Sequence, residues 1–151
     1  MSRVQLALNV SDLDEAVAFY SKLFATEPAK VRPGYANFAV ADPPLKLVLI
    51  EGASEPGSIN HLGVEVGTTD EVAAIDARLR AEDLETALED GVACCYAVQD
   101  KVWVDGPDQT PWEIYTVLAD VDMPPGELRT VDPATDALCC DSAPESAERC
   151  C

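Results

Sequence analysis

Basic residues are scarce in this chain: 10 lysines and arginines stand against 28 aspartates and glutamates, a formal net charge of −18. Nucleic acids and anionic membranes are themselves polyanions, so neither is expected as a partner. No run approaches the roughly 20 apolar residues of a membrane helix. The first residues alternate as a strand does and lack the apolar core of a signal peptide. We therefore expect a cytoplasmic protein; a monomer and a homodimer are both open.

Histidine occurs once, at His61, and all six cysteines occur as adjacent pairs. The Cα atoms of adjacent residues lie about 3.8 Å apart, closer than the roughly 4.4–6.8 Å of an ordinary disulfide. A bridge within a pair would be strained, and the cytosol would keep it reduced. The pairs better suit a soft, thiophilic ion or compound. They are Cys94–Cys95, Cys139–Cys140 and Cys150–Cys151.

The chain repeats itself with a constant offset of 56 residues, which aligns the segment from Val4 with the segment from Asn60. Each half opens with the period-two alternation of a strand. A helix start follows in each half, with capping-box spacing at Ser11 and at Thr68. Short strands come next, predicted at 35–40, 45–50, 96–98, 102–105 and 112–118.

This order predicts an α+β fold of two tandem βαβββ modules that form a cupped mixed sheet. Module one covers about residues 2–52 and module two about 58–119, within a domain of residues 1–119. Residues 120–151 are acidic, contain prolines and show neither period. They cannot bury enough apolar surface to offset the entropy of ordering, so we expect a flexible tail.

Gln5 and His61 occupy equivalent positions in the repeat, on the same face of their strands. A single histidine is more often a surface or core residue than a metal ligand. If the modules pair around a pseudo-twofold axis, however, the two side chains meet in the cup between them. The repeat therefore raises His61 from an ordinary histidine to a candidate ligand.

Glu113 lies in the otherwise bulky and apolar segment PWEIYTVL. A buried acid there is costly unless it is paired or bound to a cation, whereas an outward acid on an alternating strand is ordinary. Aligning PPLKL with TPWEI makes Lys46 its counterpart, and a lysine does not ligate at neutral pH. The predicted site has three ligands, the oxygen of Gln5, the nitrogen of His61 and the carboxylate of Glu113. It is similar to the two-histidine-one-carboxylate triad of non-haem Fe(II) enzymes, with an amide replacing one imidazole.

These features resemble the vicinal oxygen chelate superfamily of glyoxalases, extradiol dioxygenases and bleomycin-resistance proteins. More narrowly, the segments NVSDLDEAVAFYSKLF, NHLGVEV, CCYAVQDKVWVDGPD and PWEIYTVL look like those of the carbon–arsenic lyases, over about residues 3–118. The resemblance implies cleavage of trivalent organoarsenicals such as methylarsenite to arsenite, with Fe(II) as cofactor and dioxygen as cosubstrate. Ni, Co or Mn could replace iron in vitro. It implies metal ligation by Gln5, His61 and Glu113, and substrate binding by the catalytic pair Cys94 and Cys95.

An alternative stays open, because a cadmium-induced protein family shares much of the same pattern. Such a protein would bind cadmium or arsenite through its thiols without turnover. The two tail pairs would either collect arsenicals for Cys94–Cys95 or form a dispensable scavenging tail, and the sequence does not decide. Adjacent side chains of a regular strand point to opposite faces. We therefore expect Cys94 and Cys95 on a mobile loop or bulge that lets both sulfurs converge.

Overall fold

The computed structural model describes residues 2–122, 129–132 and 137–139. In chain order the elements are β1 (Arg3–Val10), α1 (Leu13–Phe24), β2 (Lys30–Arg32), β3 (Tyr35–Val40), β4 (Leu45–Glu51), β5 (Ile59–Glu65), α2 (Thr69–Ala81), β6 (Ala87–Cys94), β7 (Ala97–Asp105), β8 (Pro111–Asp120), β9 (Arg129–Asp132) and β10 (Ala137–Cys139). Cys140, Cys150 and Cys151 lie outside the described residues, so the expectations for the tail pairs stay open.

The strands of the described residues form one mixed sheet in the order β10-β9-β6-β7-β8-β5-β1-β4-β3-β2. β1 and β5 pair antiparallel at its centre, and each pairs in parallel with the last strand of its own module, β4 or β8. The sheet curls into a half-barrel, which confirms the predicted cup of two βαβββ modules. The two modules pair within one chain.

The register between the two modules follows a pseudo-twofold axis. Leu6 lies opposite Leu62, Gln5 opposite Gly63 and Ala7 opposite His61. With the repeat offset of 56 residues, the Leu6–Leu62 pair maps onto itself when the modules are exchanged, and the Gln5–Gly63 pair maps onto the Ala7–His61 pair. Gln5, Ala7 and His61 are buried on one face of the sheet. The predicted meeting of the two first strands, and the shared face of Gln5 and His61, are therefore present.

The helices cover the opposite face of the sheet. Leu13 of α1 belongs to a buried cluster with Leu47 and Leu49 of β4. Those two residues alternate with residues that face the cup, so each strand separates an apolar helix-packed side from the inner side. In module two, Val72 of α2 packs with Ile114 of β8 in the same way. Neither α1 nor α2 is long and apolar enough to span a membrane.

The two helix starts differ from one another. Thr68 forms the expected capping box, in which its hydroxyl accepts from the backbone N–H of Glu71 and the Glu71 carboxylate accepts in return. In module one the expected cap, Ser11, was wrong by one residue. Asp12 caps α1, and its carboxylate accepts from the backbone N–H of Glu15 at 2.8 Å.

Several strands lie beyond the predicted boundaries. β2 and β6 have no counterpart among the predicted strands, and residues 99–101, which separate two predicted strands, are instead the interior of the continuous strand β7. Gln99, Asp100 and Lys101 are buried there. Gln99 and Lys101 line the cavity of the cup, while Asp100 on the other face accepts from the Thr69 hydroxyl and the Gly91 N–H, so all three polar side chains have partners inside the fold. β9 and β10 lie within residues 120–151, where the hydrophobic pattern had no signal for strands.

Candidate metal and thiol site

The three predicted ligands meet at the centre of the cup. The Gln5 side-chain nitrogen lies 2.9 Å from His61 Nε2 and 2.5 Å from Glu113 Oε1. His61 Nε2 lies 3.2 Å from the same Glu113 oxygen. All three residues are 3% exposed. Strands β1, β5 and β8 each supply one side chain, and their adjacency in the sheet brings together residues that are far apart in sequence.

The spacing of these three atoms fits one face of an octahedral metal centre. Ligands about 2.1 Å from an octahedral metal lie about 3.0 Å from one another, and the three observed separations surround that value. One imidazole, one carboxylate and one amide form a mixed N/O donor set suited to a divalent first-row metal. Among the described residues, no group of three or more His, Cys, Asp or Glu side chains could hold a metal ion. A metal held by His61 and Glu113 would therefore need the Gln5 amide as its third protein donor.

The Gln5 amide contacts Tyr115, which the sequence did not single out. The Tyr115 hydroxyl donates to Gln5 Oε1 and lies 3.1 Å from Glu65 Oε2. The Gln5 amide N–H groups consequently face His61 and Glu113. Half a turn of the amide would present its oxygen to a cation instead. A hydroxyl both donates and accepts, so Tyr115 with Glu65 beside it can satisfy either orientation.

Glu113 is kept ionised by the polar groups around it. Burial raises the pKa of its carboxyl, but attraction to Lys101, helped by the contact with His61, outweighs burial and holds the pKa at about 2. Lys101 Nζ lies 3.5 Å from Glu113 Oε2, and Lys101 is only 1% exposed. A buried carboxylate paired in this way is ready to bind a cation at neutral pH.

A second pair of buried charges lies beside Tyr115. Lys46 Nζ is 3.4 Å from Glu65 Oε2, which Arg3 also contacts. Burial lowers the pKa of Lys46, while Glu65 opposes that shift. Burial raises the pKa of Glu65, but Lys46 and Arg3 outweigh it and the net shift is downward. The carboxylate beside Tyr115 is therefore charged at neutral pH.

The structure corrects the predicted counterpart of Glu113 in module one. Glu113 lies opposite Gly63 in the parallel pairing of β5 with β8. Ala7, the repeat equivalent of Gly63, lies opposite Val48 in the pairing of β1 with β4. By register the counterpart is therefore Val48 and not Lys46, because aligning short motifs by composition shifted the strand by two residues.

A small cavity of about 20 Å³ joins the triad to one cysteine of the doublet. Cys95 lines it, and the cavity has room for about one water molecule. Tyr35 and Val48 form its apolar walls, and the other lining side chains are polar. The lining residues are Gln5, Tyr35, Lys46, Val48, His61, Cys95, Gln99, Lys101 and Glu113.

The cysteine doublet occupies the hairpin between β6 and β7. Cys94 pairs with Ala97, which leaves Cys95 and Tyr96 as a two-residue turn. Their φ angles are 54° and 64°, the left-handed values that the favoured two-residue hairpin turn requires at both positions. The two sulfurs lie 2.9 Å apart, and both cysteines are buried. The expected break in strand alternation and convergence of the sulfurs are present, in a tight turn and not in a longer loop.

Side chains of the β2–β3 hairpin hold this turn from across the cup. Lys30 Nζ donates to the backbone carbonyl of Tyr96 at 3.0 Å, and the Tyr96 hydroxyl donates to the carbonyl of Pro33 at 3.2 Å. The Arg32 guanidinium lies 5.9 Å from the centre of the Tyr96 ring. These contacts offset the cost of two non-glycine residues in a left-handed conformation.

The turn before Glu113 holds a left-handed residue that is not glycine. Gln109 adopts a φ of 58°. The Gln109 N–H donates to the Gly106 carbonyl at 2.9 Å, and the Gly106 N–H donates to the Thr110 carbonyl at 2.9 Å. The left-handed position is retained without glycine, so Glu113 enters the cup on β8.

Comparison with known proteins gives consistent matches. The profile of the glyoxalase/bleomycin resistance protein/dioxygenase superfamily matches residues 3–114. A trivalent organoarsenical cleaving enzyme from Thermomonospora curvata is 57% identical over 141 residues, covering 93% of this chain and 89% of the relative. A cadmium-induced protein from Mycobacterium bovis is also 57% identical, over 143 residues, covering 93% of this chain and 94% of that protein.

Among solved structures, a 2,3-dioxygenase from Pseudomonas sp. KL28 superimposes with a TM-score of 0.61. The match has 19% sequence identity and covers 78% of this chain and 41% of the dioxygenase. At that identity the likeness supports the fold alone. The relatives and the superposition thus agree on the architecture, while the two relatives of equal identity carry different names.

Proposed function

Because this chain belongs to the glyoxalase/bleomycin resistance protein/dioxygenase superfamily, we propose that it is a metal-dependent enzyme that cleaves the carbon–arsenic bond of trivalent organoarsenicals. One observation carries the proposal: Cys95 lines the same cavity as Gln5, His61 and Glu113. Thiols bind soft arsenic, and the triad suits a harder divalent metal. A protein that only trapped arsenic or cadmium on thiols would not need a buried N/O donor set beside them.

The doublet, in its dithiol form, binds the arsenic of the substrate. A monoalkyl arsenic(III) has two exchangeable hydroxyl groups, and two thiols can replace both, forming two As–S bonds and releasing two water molecules. The second bond forms at high effective concentration because Cys94 and Cys95 are already together, with sulfurs 2.9 Å apart. The tight turn thereby fixes the arsenic at the edge of the cavity, with its organic group free to face the triad.

The triad supplies the place for a metal. Fe(II), when bound there, would offer open positions for dioxygen and the electrons for its activation. The overall reaction balances as methylarsenite plus dioxygen giving arsenite plus formaldehyde, so that the C–As bond breaks, the carbon is oxidised and dioxygen is reduced. The chain's own part is to hold Glu113 ionised through Lys101, at 3.5 Å.

The walls of the cavity restrict what reaches the metal face. Val48 is 4% exposed and Tyr35 is 3% exposed, so the module-one side of the cavity is closed to bulk water. The Trp103 ring meets the His61 ring edge to face, with centroids 5.5 Å apart. That contact limits rotation of the imidazole. Tyr96, which faces the β2–β3 hairpin, does not line the cavity.

The second candidate function is thiol-based binding of cadmium or arsenite without turnover, which the name of the mycobacterial relative favours. Both functions need the doublet, and only cleavage needs the triad. Variants of the doublet and of the triad therefore distinguish cleavage from binding.

The test is aerobic incubation of the protein with methylarsenite and Fe(II), with arsenite separated from methylarsenite and quantified. We expect release by the wild type, and its loss in Glu113→Ala and in Cys95→Ser. Glu27→Ala, a matched change of an exposed acid, should release arsenite at the wild-type rate. Cadmium binding should survive Glu113→Ala. Absence of release by the wild type, or equal release by Glu113→Ala, would favour the binding protein.

A further inference from the structure

A chain of hydrogen bonds runs from His61 to the connection between the two modules. His61 Nδ1 lies 2.7 Å from Asn60 Oδ1, and Asn60 Nδ2 donates to Asn9 Oδ1 at 3.0 Å. Asn9 Nδ2 then donates to Ser58 Oγ at 2.8 Å, and Ser58 Oγ donates to the backbone carbonyl of Glu55 at 2.5 Å. The chain thus begins at a candidate metal ligand and ends at a backbone carbonyl.

The carbonyl at the far end fixes the direction of every link. A backbone carbonyl only accepts, so Ser58 must give it the hydroxyl proton. The Ser58 oxygen is then the acceptor for Asn9. An amide that donates through its nitrogen at one end presents its oxygen at the other, and this holds for Asn9 and again for Asn60. His61 Nδ1 must therefore carry the proton, which leaves the lone pair on Nε2.

On the opposite side of the imidazole the Gln5 amide fits the same tautomer, while Glu113 Oε1, 3.2 Å from Nε2, is the contact that favours the other one. The Gln5 amide nitrogen lies 2.9 Å from His61 Nε2, and an N–H group there requires an acceptor. The Gln5 oxygen is occupied by the Tyr115 hydroxyl, so the nitrogen faces the histidine. Asn9 is 1% exposed and His61 is 3% exposed, so these two members of the chain are shielded from bulk water, while Asn60 and Ser58 are partly exposed.

We propose that Asn60, Asn9 and Ser58 are positioning residues that lock His61 in the tautomer with Nε2 free for a metal. The inference deepens the metal site of the proposed function and rests on it. The connection between the modules would then help to orient His61, because Glu55 and Ser58 lie between β4 and β5. A histidine held in the other tautomer would present an N–H group to the metal and could not bind it through Nε2.

Nitrogen-15 NMR of histidine-labelled, metal-free protein tests the tautomer directly. His61 is the only histidine, so each spectrum reports this residue alone. At about pH 8, above the ordinary imidazole pKa of about 6.5, we expect the wild type to show the Nδ1–H tautomer. Asn9→Leu should abolish that preference. Asn9→Asp should keep it, because a carboxylate still accepts from Asn60 and leaves that amide in place.

Affinity for Mn(II) or Co(II) is the second readout. Loss of an outer partner of a ligating histidine typically costs about 10–100-fold in metal affinity, so we expect that loss for Asn9→Leu and a smaller loss for Ser58→Ala. Ser54→Ala, an exposed serine of the same connection, should bind like the wild type. If Asn9→Leu does not fold, Ser58→Ala decides by a change in the tautomer ratio.

The outcomes separate this inference from the proposed function. A tautomer unchanged in both Asn9→Leu and Ser58→Ala would overturn the role of the chain, even in an active lyase. A wild type that is mostly the Nε2–H tautomer would also overturn it. Failure to release arsenite would count against the lyase and leave the NMR result intact.

Discussion

The two modules share a backbone and differ at the positions that face the cup. Gln5 of module one corresponds to His61 of module two by the repeat, and Val48 corresponds to Glu113 by register. All four side chains line the same cavity. Module two supplies an imidazole and a carboxylate, whereas module one supplies an amide and an apolar side chain. The symmetric cup therefore offers four positions for ligands, and only three of them hold donors.

Each module also supplies a residue that orients a side chain of the other module. Asn9 and Glu65 are equivalent by the offset of 56 residues. Asn9 of module one fixes the amide of Asn60 and through it His61 of module two. Glu65 of module two lies beside Tyr115, whose hydroxyl contacts Gln5 of module one. The two polar positions are equivalent in the repeat, and each orients a candidate ligand that belongs to the other half.

The largest effect is expected from restoring symmetry with Val48→Glu. A second carboxylate opposite Glu113 should raise affinity for a divalent metal at least tenfold, equivalent to about 1.4 kcal/mol. It should lower the melting temperature of the metal-free protein, because Val48 is 4% exposed and a charge there is buried beside another of the same sign. Arsenite release should fall steeply, since the fourth donor would occupy a position that the substrate or dioxygen needs.

Competition with a fluorescent chelator measures the affinity, and thermal unfolding with and without metal measures the stability. Val48→Thr, similar in volume and neutral, is the matched control and should leave metal affinity unchanged. Weaker metal binding by Val48→Glu would show that position 48 is not equivalent to position 113 as a place for a ligand.

A smaller effect is expected at Gly63, the counterpart of Ala7. A Cβ atom at Gly63 would lie 3.0 Å from both Cγ and the carbonyl oxygen of Glu113. Ala7, which lies opposite Val48 in the pairing of β1 with β4, is fully buried and already carries a Cβ. Gly63→Ala should lower the free energy of unfolding by about 1–3 kcal/mol through overpacking and weaken metal binding by displacing Glu113.

The mirror change, Ala7→Gly, should cost only about 0.5–1 kcal/mol through the backbone and leave metal affinity intact. Urea unfolding and the chelator competition measure both variants. Equal losses of metal affinity at the two positions would mean that Gly63 is not special to the carboxylate side of the cup.

The repeat was visible in the sequence because strand alternation and helix starts recur at a fixed spacing. It placed Gln5 and His61 on one face and made their meeting predictable. The register of β4 against β1 was not predictable in the same way, since a shift of two residues keeps the alternation intact. That is why Lys46, and not Val48, was matched with Glu113.

The doublet hairpin was harder to predict for a different reason. Two-residue hairpin turns are ordinarily signalled by asparagine or glycine, and here Cys95 and Tyr96 take those positions with φ angles of 54° and 64°. Contacts from Lys30 and Pro33, about 60 residues away in sequence, help to hold the turn. Long-range contacts of this kind override local preference. Tyr115 was missed for a related reason, because its role depends on a neighbour in another strand.

The smallest effect compares the two helix starts, which the sequence treats as alike and the structure does not. Thr68→Ala should cost about 1 kcal/mol of unfolding free energy, because it removes a capping box. Asp12→Ala should cost a similar amount, because the Asp12 carboxylate accepts from the Glu15 N–H at 2.8 Å. Ser11→Ala should lie within about 0.5 kcal/mol of the wild type, as surface changes do. Urea midpoints measure all three variants, and metal affinity should not change, since neither cap touches the cup. A cost at Ser11 equal to that at Asp12 would mean that the cap shifts between the two residues and that α1 begins as the sequence pattern indicated.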